Sequence, residues 1–110
     1  MKLIVTDMDG TLLNDNKEID NDFFKIMALL KPKGVKFAIA SGRHLNKLKA
    51  MFNDGGLIYI SENGAVVEEN GQIIYENCLS KETVKTVCDV IDKIPDFSIV
   101  YSTYNKTYLK

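Results

Sequence analysis

Two aspartates, Asp7 and Asp9, stand one residue apart in "LIVTDMDGTLL", Leu3 to Leu13, directly after a run of mostly apolar residues. In an extended strand, side chains two apart share a face, so both carboxylates can project together from the strand's carboxyl end. Open parallel sheets bind their ligands at that end. Two carboxylates at close quarters repel, and the repulsion is relieved by a cation or by one of them keeping a proton. Either resolution is chemically useful. Gly10 lets the backbone turn sharply, and Thr11 adds a hydroxyl beside the turn.

A second constellation follows "VKFAIA", where Ser41-Gly42-Arg43 is expected to open a helix. A serine hydroxyl and backbone N–H groups would then converge where a phosphate could sit, although Ser41 serves equally well as a plain helix cap. Arg43 in a first helical turn reads as a substrate contact or as a solvated charge. Asn63-Gly64 follows "LIYIS" at a third strand end, where a simple turn is the competing reading. His44, the only histidine, reads as capping or solvated rather than as a general base.

The elements that must position these residues can be read from periodicity. Leu3 to Val5 is a compact apolar run of the kind expected for a strand covered on both faces. "DNDFFKIMALL" (20–30) places Phe23, Met27 and Leu30 on one helical face, with Lys31-Pro32-Lys33-Gly34 as the stop. "VKFAIAS" is a second strand. "HLNKLKAMF" is a helix burying Leu45, Leu48 and Phe52, closed by Asp54-Gly55-Gly56, and "LIYIS" is a third strand. Strand, helix, strand, helix, strand predicts right-handed crossovers and a parallel sheet, hence an α/β fold. "AVVEENGQIIYEN" predicts a hairpin turning at Asn70-Gly71, at the sheet margin. Ser80 begins a helix striped with Val84, Val87, Cys88 and Ile91 and ended by Pro95, and the tail reads as two β segments around Asn105-Lys106.

The chain has 110 residues, 45% hydrophobic, enough for one modest core. Its formal net charge of -1 gives no broad basic surface, so nucleic acid is not expected as a partner. Apolar runs of five or six residues are too short to cross a bilayer, which predicts no membrane association and a cytoplasmic location. Cys78 and Cys88 form neither a zinc spacing nor a disulfide framework and are expected as reduced, buried thiols.

Three readings compete for the acidic pair. Asp-Gly is a common turn dipeptide, but a turn needs neither the second aspartate nor the Gly-Thr that follows. A calcium loop would use Glu18, twelfth from Asp7, yet its sixth position is Leu12 where a glycine is required, and a strand precedes it. The third reading is a phosphoryl-transfer site. "DMDGTLL" resembles the first motif, DxDGT[LV], of the haloacid-dehalogenase (HAD) superfamily. "DMDGTLLNDNKEI" followed by "GVKFAIASGR" and "ISENGA" resembles the Cof-type (HAD-IIB) phosphatase branch, and the similarity runs from Leu3 to about Leu109.

The resemblance implies a partial Rossmann-like core and an Mg²⁺-dependent phosphatase acting on small phosphorylated metabolites of sugar-phosphate type. It makes Asp7 the nucleophile that becomes an aspartyl phosphate, and Asp9 the acid that protonates the leaving oxygen and later activates water. Mg²⁺ would be held by the Asp7 carboxylate and the backbone carbonyl of Asp9. Ser41 would bind the phosphoryl group, with Gly42, Arg43 and Asn63 around it. A carboxylate is a poor nucleophile toward an anionic phosphate without such a cation, and Asp9 as an acid needs a raised pKa.

The lysine of the family's third motif and its later acidic motif do not occur; Asp89 and Asp92 read as a helix's wet face. The resemblance therefore implies an amino-terminal part, with residues 1–79 as core and 80–110 as the start of a cap. A three-stranded half-sheet leaves an uncovered edge, from which self-association, weak Mg²⁺ binding and little turnover are expected. A phospho-accepting signalling domain would need an aspartate at the third strand's end, where Ser61 and Glu62 stand. A non-catalytic binding module that keeps the nucleophile site is the remaining alternative.

Overall fold

The structure, a computed structural model, describes residues 2–52, 56–103 and 106–110. It divides into two compact units, Met1–Glu76 and Asn77–Lys110. The first unit carries a five-stranded sheet in the order β1 (Lys2–Asp7), β2 (Val35–Ala40), β3 (Leu57–Ser61), β4 (Val66–Glu69), β5 (Gln72–Glu76). The first three strands run parallel, connected by helices α1 (Asn21–Leu30) and α2 (Leu45–Phe52), and β4 and β5 add antiparallel to β3. The α/β architecture matches the periodicity, with the hairpin extending the parallel half into a mixed sheet.

Local chemistry accounts for the helix limits. Asp20 caps α1 by accepting a hydrogen bond from the Asp22 N–H, and a single 3₁₀ turn at Lys31–Lys33 ends on Gly34 in the left-handed region, φ 72°. Phe23 and Met27 are buried, with Leu30 packed beside them, and α2 buries Leu45, Leu48 and Phe52. The Phe23 ring lies 5.8 Å from Phe37 of β2 and 6.0 Å from Phe52, which in turn lies 6.2 Å from Tyr59 of β3. Both helices therefore cover the same face of the sheet, and these tilted and edge-on aromatic contacts form its core. Of the expected closure of α2, Asp54 and Gly55 lie outside the described residues.

Strand parity puts Glu68 on that covered face, opposite Tyr59. It is only 5% exposed, and its carboxylate is met at 2.8 Å by Lys49 Nζ from α2. The turn at Asn70 (φ 52°) and Gly71 (φ 78°) has the two consecutive left-handed residues of a type I′ hairpin.

β1 lies at the edge of the sheet with β2 as its one partner among the described residues, in line with the uncovered edge expected, but its faces are not covered as its apolar run predicts: Leu3 and Val5 remain 53% and 51% exposed. An apolar run encodes burial but not which neighbour provides it.

The second unit consists of α3 (Lys81–Ile91) and a hairpin of β6 (Val100–Ser102) with β7 (Thr107–Leu109). Ser80 caps α3, accepting from the Thr83 N–H. The helix stops at Ile91 rather than at Pro95: after the Asp92 N–H donates to the Cys88 carbonyl, the Lys93 and Ile94 N–H groups fall back to the Val90 and Ile91 carbonyls in tighter i→i−3 turns. Val84, Cys88 and Ile91 are half-buried while Val87 is exposed. Both cysteines are free thiols, as expected, but not buried: Cys78 is exposed, and Cys88 Sγ lies 2.8 Å from the Tyr101 hydroxyl. That contact raises the Tyr101 pKa above its ordinary value. Asp92 sits on the wet face and pairs with Lys110 at 2.8 Å. Asn105, part of the expected turn, lies outside the described residues.

Candidate active site

The site is built where β1, β2 and β3 end. Asp7 is the last residue of β1 and is exposed, Met8 turns into the core, and Asp9 is exposed again. The alternation expected of the acidic pair is thus present. Beyond it the chain winds through one tight turn in which the Met8 carbonyl accepts from Leu12 and Leu13 N–H at 3.0 and 2.9 Å. Gly10, at φ 77°, permits that turn. Leu13 is buried and bridges to both Asp9 and Ile19, so the segment returns as a small ladder over the strand end.

After β2, Ser41 does not open a helix. Its N–H donates to the Ile60 carbonyl at 2.9 Å, and its hydroxyl oxygen accepts from the Arg43 N–H at 3.1 Å. Helix α2 begins only at Leu45, capped by His44, whose Nδ1 accepts from the Asn46 N–H at 3.2 Å. The capping role foreseen for Ser41 therefore belongs to His44. The Ser41 hydroxyl keeps its own proton to donate.

The loops after β2 and β3 are tied together. Asn63 N–H donates to the Ser41 carbonyl and Glu62 N–H to the Arg43 carbonyl, each at 3.2 Å. Glu62 (φ 51°) and Asn63 (φ 56°) both occupy the left-handed region to make these contacts. A Cβ added at Gly42 would stand 2.7 Å from Asn63 Oδ1, so the absence of a side chain there is what lets the loops close on each other.

Arg43 then completes the link to the acidic pair. Its Nη2 donates to Asp9 Oδ1 at 3.1 Å and Oδ2 at 3.3 Å, while Nη1 lies 3.2 Å from Met51 Sδ. A second cation arrives from the loop after the tight turn, Lys17 Nζ, 2.9 Å from Asp9 Oδ1. Sequence reading gave Lys17 no role, although it lies within "DMDGTLLNDNKEI", the stretch that carries the family resemblance. The Lys17 hydrogen bond holds the Asp9 carboxyl below its ordinary pKa, Arg43 adds to the effect, and desolvation opposes it. In the open site Asp9 is thus held ionised by the two cations; the raised pKa expected of an acid there belongs to a closed site holding the leaving oxygen.

Asp9, Ser41, Gly42, Arg43 and Asn63 are thus joined by direct contacts, and Asp7 stands at the end of the strand that leads to them. Asp7 and Asp9 offer hard oxygen donors suited to Mg²⁺, an ion that commonly takes one or two carboxylates and keeps several waters. Among the described residues no group of three or more His, Cys, Asp or Glu is clustered as a larger cage. An apolar cleft between Phe24, Met27, Val35, Phe37 and Gly56 lies at the strands' amino ends, away from this chemistry.

The sequence model of the haloacid dehalogenase-like hydrolase family matches residues 4–110. The chain belongs to this family. Among its relatives, the 5-amino-6-(5-phospho-D-ribitylamino)uracil phosphatase YbjI of Escherichia coli is 31% identical over 98% of this chain and 41% of its own length. The phosphoglycolate phosphatase of Sulfolobus acidocaldarius is 33% identical over 84% of this chain and 38% of its own. The crystal structure of SMU.1108c from Streptococcus mutans UA159 superposes with a TM-score of 0.87 at 32% identity, covering 98% of this chain and 42% of that one. The HAD subclass IIB sugar phosphatase BT4131 shares the fold, with a TM-score of 0.75 at 24% identity over 99% of this chain and 44% of that one. The chain spans about two fifths of the length of these relatives.

Proposed function

We propose that this chain carries the nucleophile half of an Mg²⁺-dependent phosphatase for small phosphorylated metabolites of sugar-phosphate type. The observation that carries the reading is the convergence of three strand ends: Arg43 on Asp9, and Ser41 on Asn63. Residues 1–79 supply part of the core in this reading, and 80–110 begin a cap domain. The phosphatase names of the relatives support the reaction class, and the absence of a broad basic surface agrees with a small substrate. No helix of the described residues is long and apolar enough to cross a membrane, which accords with a cytoplasmic setting.

In the proposed mechanism the Asp7 carboxylate attacks phosphorus in line as the bond to the leaving oxygen breaks, giving an Asp7 acyl phosphate. Asp9 gives its proton to the leaving oxygen, then takes one from the water that attacks phosphorus, so that inorganic phosphate leaves and Asp7 is restored. Ser41 donates its hydroxyl proton to a phosphoryl oxygen, and the Gly42 backbone and Asn63 line the same rim. Mg²⁺, held by the Asp7 carboxylate and the Asp9 carbonyl, would supply charge neutralisation for the approach of two anions. No counterpart of the third-motif lysine or of the later acidic ligands occurs among these 110 residues, so this chain is expected to bind Mg²⁺ weakly and turn over slowly. The open edge of β1, flanked by Leu3 and Val5, favours pairing with a second copy.

The pairing of Asp9 with two cations favours a second reading, a binding module that holds phosphate without turnover. Hydrolysis of p-nitrophenyl phosphate by the purified chain separates the two. Slow release that needs Mg²⁺ and disappears in Asp7→Asn supports the phosphatase half-site. Phosphate binding that needs Ser41, without any release, supports the binding module. Release unaffected by Asp7→Asn removes the mechanism.

A further inference from the structure

We propose that Lys17 and Arg43 form a two-cation clamp for the substrate's phosphate, and that Asp9 occupies this clamp until phosphate arrives. The inference rests on the phosphate-site reading above and adds Lys17 as a binding residue.

Three hydrogen bonds from two separate loops converge on the one Asp9 carboxylate: Lys17 Nζ at 2.9 Å and Arg43 Nη2 at 3.1 and 3.3 Å. Donors disposed in this way suit phosphate oxygens as well as carboxylate oxygens. The Lys17 placement is constructed by its loop. Its φ of 62° is uncommon for a residue with a side chain. Asn14 holds it, since the Asn14 carbonyl accepts from Lys17 N–H, and Asn14 Oδ1 accepts from the N–H groups of Asn16 and Glu18, all at 2.9 Å. Leu13, buried beneath, bridges this loop to Asp9.

The present pairing is easily exchanged. The side chains of Lys17, Arg43 and Asp9 are 62%, 32% and 48% exposed, and ion pairs so open to water are weak. A phosphate carries more charge and more acceptor oxygens than a carboxylate, so it competes well for the same donors. It also needs them, because Asp7 and Asp9 otherwise present two negative charges to an incoming anion. On phosphate entry the cations turn from Asp9 to the ligand, and the Asp9 carboxyl, no longer held ionised by them, can take up the proton it gives to the leaving oxygen.

The test is titration of the whole chain with inorganic phosphate in the presence of Mg²⁺, followed by ³¹P NMR and calorimetry. Lys17→Met is expected to weaken phosphate binding about tenfold, and Lys17→Arg to recover most of the loss, which a purely structural role for Lys17 would not produce. Asp9→Asn should tighten binding, and the gain should shrink when Lys17→Met is added. Circular dichroism confirms folding, with Lys17→Gln as the replacement if Lys17→Met does not fold. Phosphate binding indifferent to Lys17 overturns the clamp alone. A wild-type chain that takes up no phosphate overturns the phosphate-site reading and the clamp with it.

Discussion

Gly42 and Asn63 are contact partners of opposite kinds, one supplying space and the other filling it. Gly42→Ala should force Asn63 aside and cost about 1 kcal/mol by overpacking. Asn63→Gly in the same chain, which keeps a residue tolerant of positive φ, should recover most of that cost in urea denaturation. An undiminished cost in the double variant would show that the Cβ meets something other than Asn63. Asp9 allows a second prediction. Its carboxyl is held below its ordinary pKa by Lys17 and Arg43, so the pairing adds stability above the usual carboxylate range and loses it as pH falls through the folded-state value. In EDTA, ¹³C NMR should show Asp9 titrating low, and moving up toward the ordinary value in Lys17→Met. An Asp9 that titrates identically in both chains would mean that the ion pair does not persist in solution.

At the level of helices and strands, the two units differ in what their apolar stripes touch. Leu48 of α2 is fully buried, and Leu48→Ala should cost about 2–5 kcal/mol. Val87 of α3 is 42% exposed, and Val87→Ala should cost less than about 1 kcal/mol. Equal losses in denaturation would contradict this ordering. Periodicity revealed both helices, yet it could not reveal this contrast, since a stripe records only that something covers it. The same limit explains β1, whose faces were read as covered and are exposed at Leu3 and Val5. Short-range signals fared better: Ser80 caps its helix, and Asn70-Gly71 turns the hairpin. Of the site, the strand-end positions of Asp7, Ser41 and Asn63 were readable. The reach of Lys17 and Arg43 to Asp9 was not, because it depends on loop conformations set by Asn14 and by the cross-tied backbones. Glu68 was missed although its parity with Val66 placed it inward, where Lys49 meets it.

For the whole molecule, the exposed β1 strand predicts association. Sedimentation should show copies assembling as concentration rises, and Leu3→Lys with Val5→Lys should shift the chain toward monomer; a monomer at all micromolar concentrations would remove the second copy as the edge's partner. The order of the sheet carries a different consequence. Each of the five strands pairs with the next one in the sequence, so no strand of this sheet waits for a distant segment. On a ribosome, β2 can join β1 once the connecting helix has emerged, and every later strand adds to an edge already present. The β4–β5 hairpin closes over a few residues and should form quickly, whereas the parallel pairs, such as Lys2 with Val35, must close longer loops and form more slowly. These five strands can therefore be paired by the time Glu76 leaves the exit tunnel, holding Asp7, Asp9, Ser41 and Asn63 in place while translation continues.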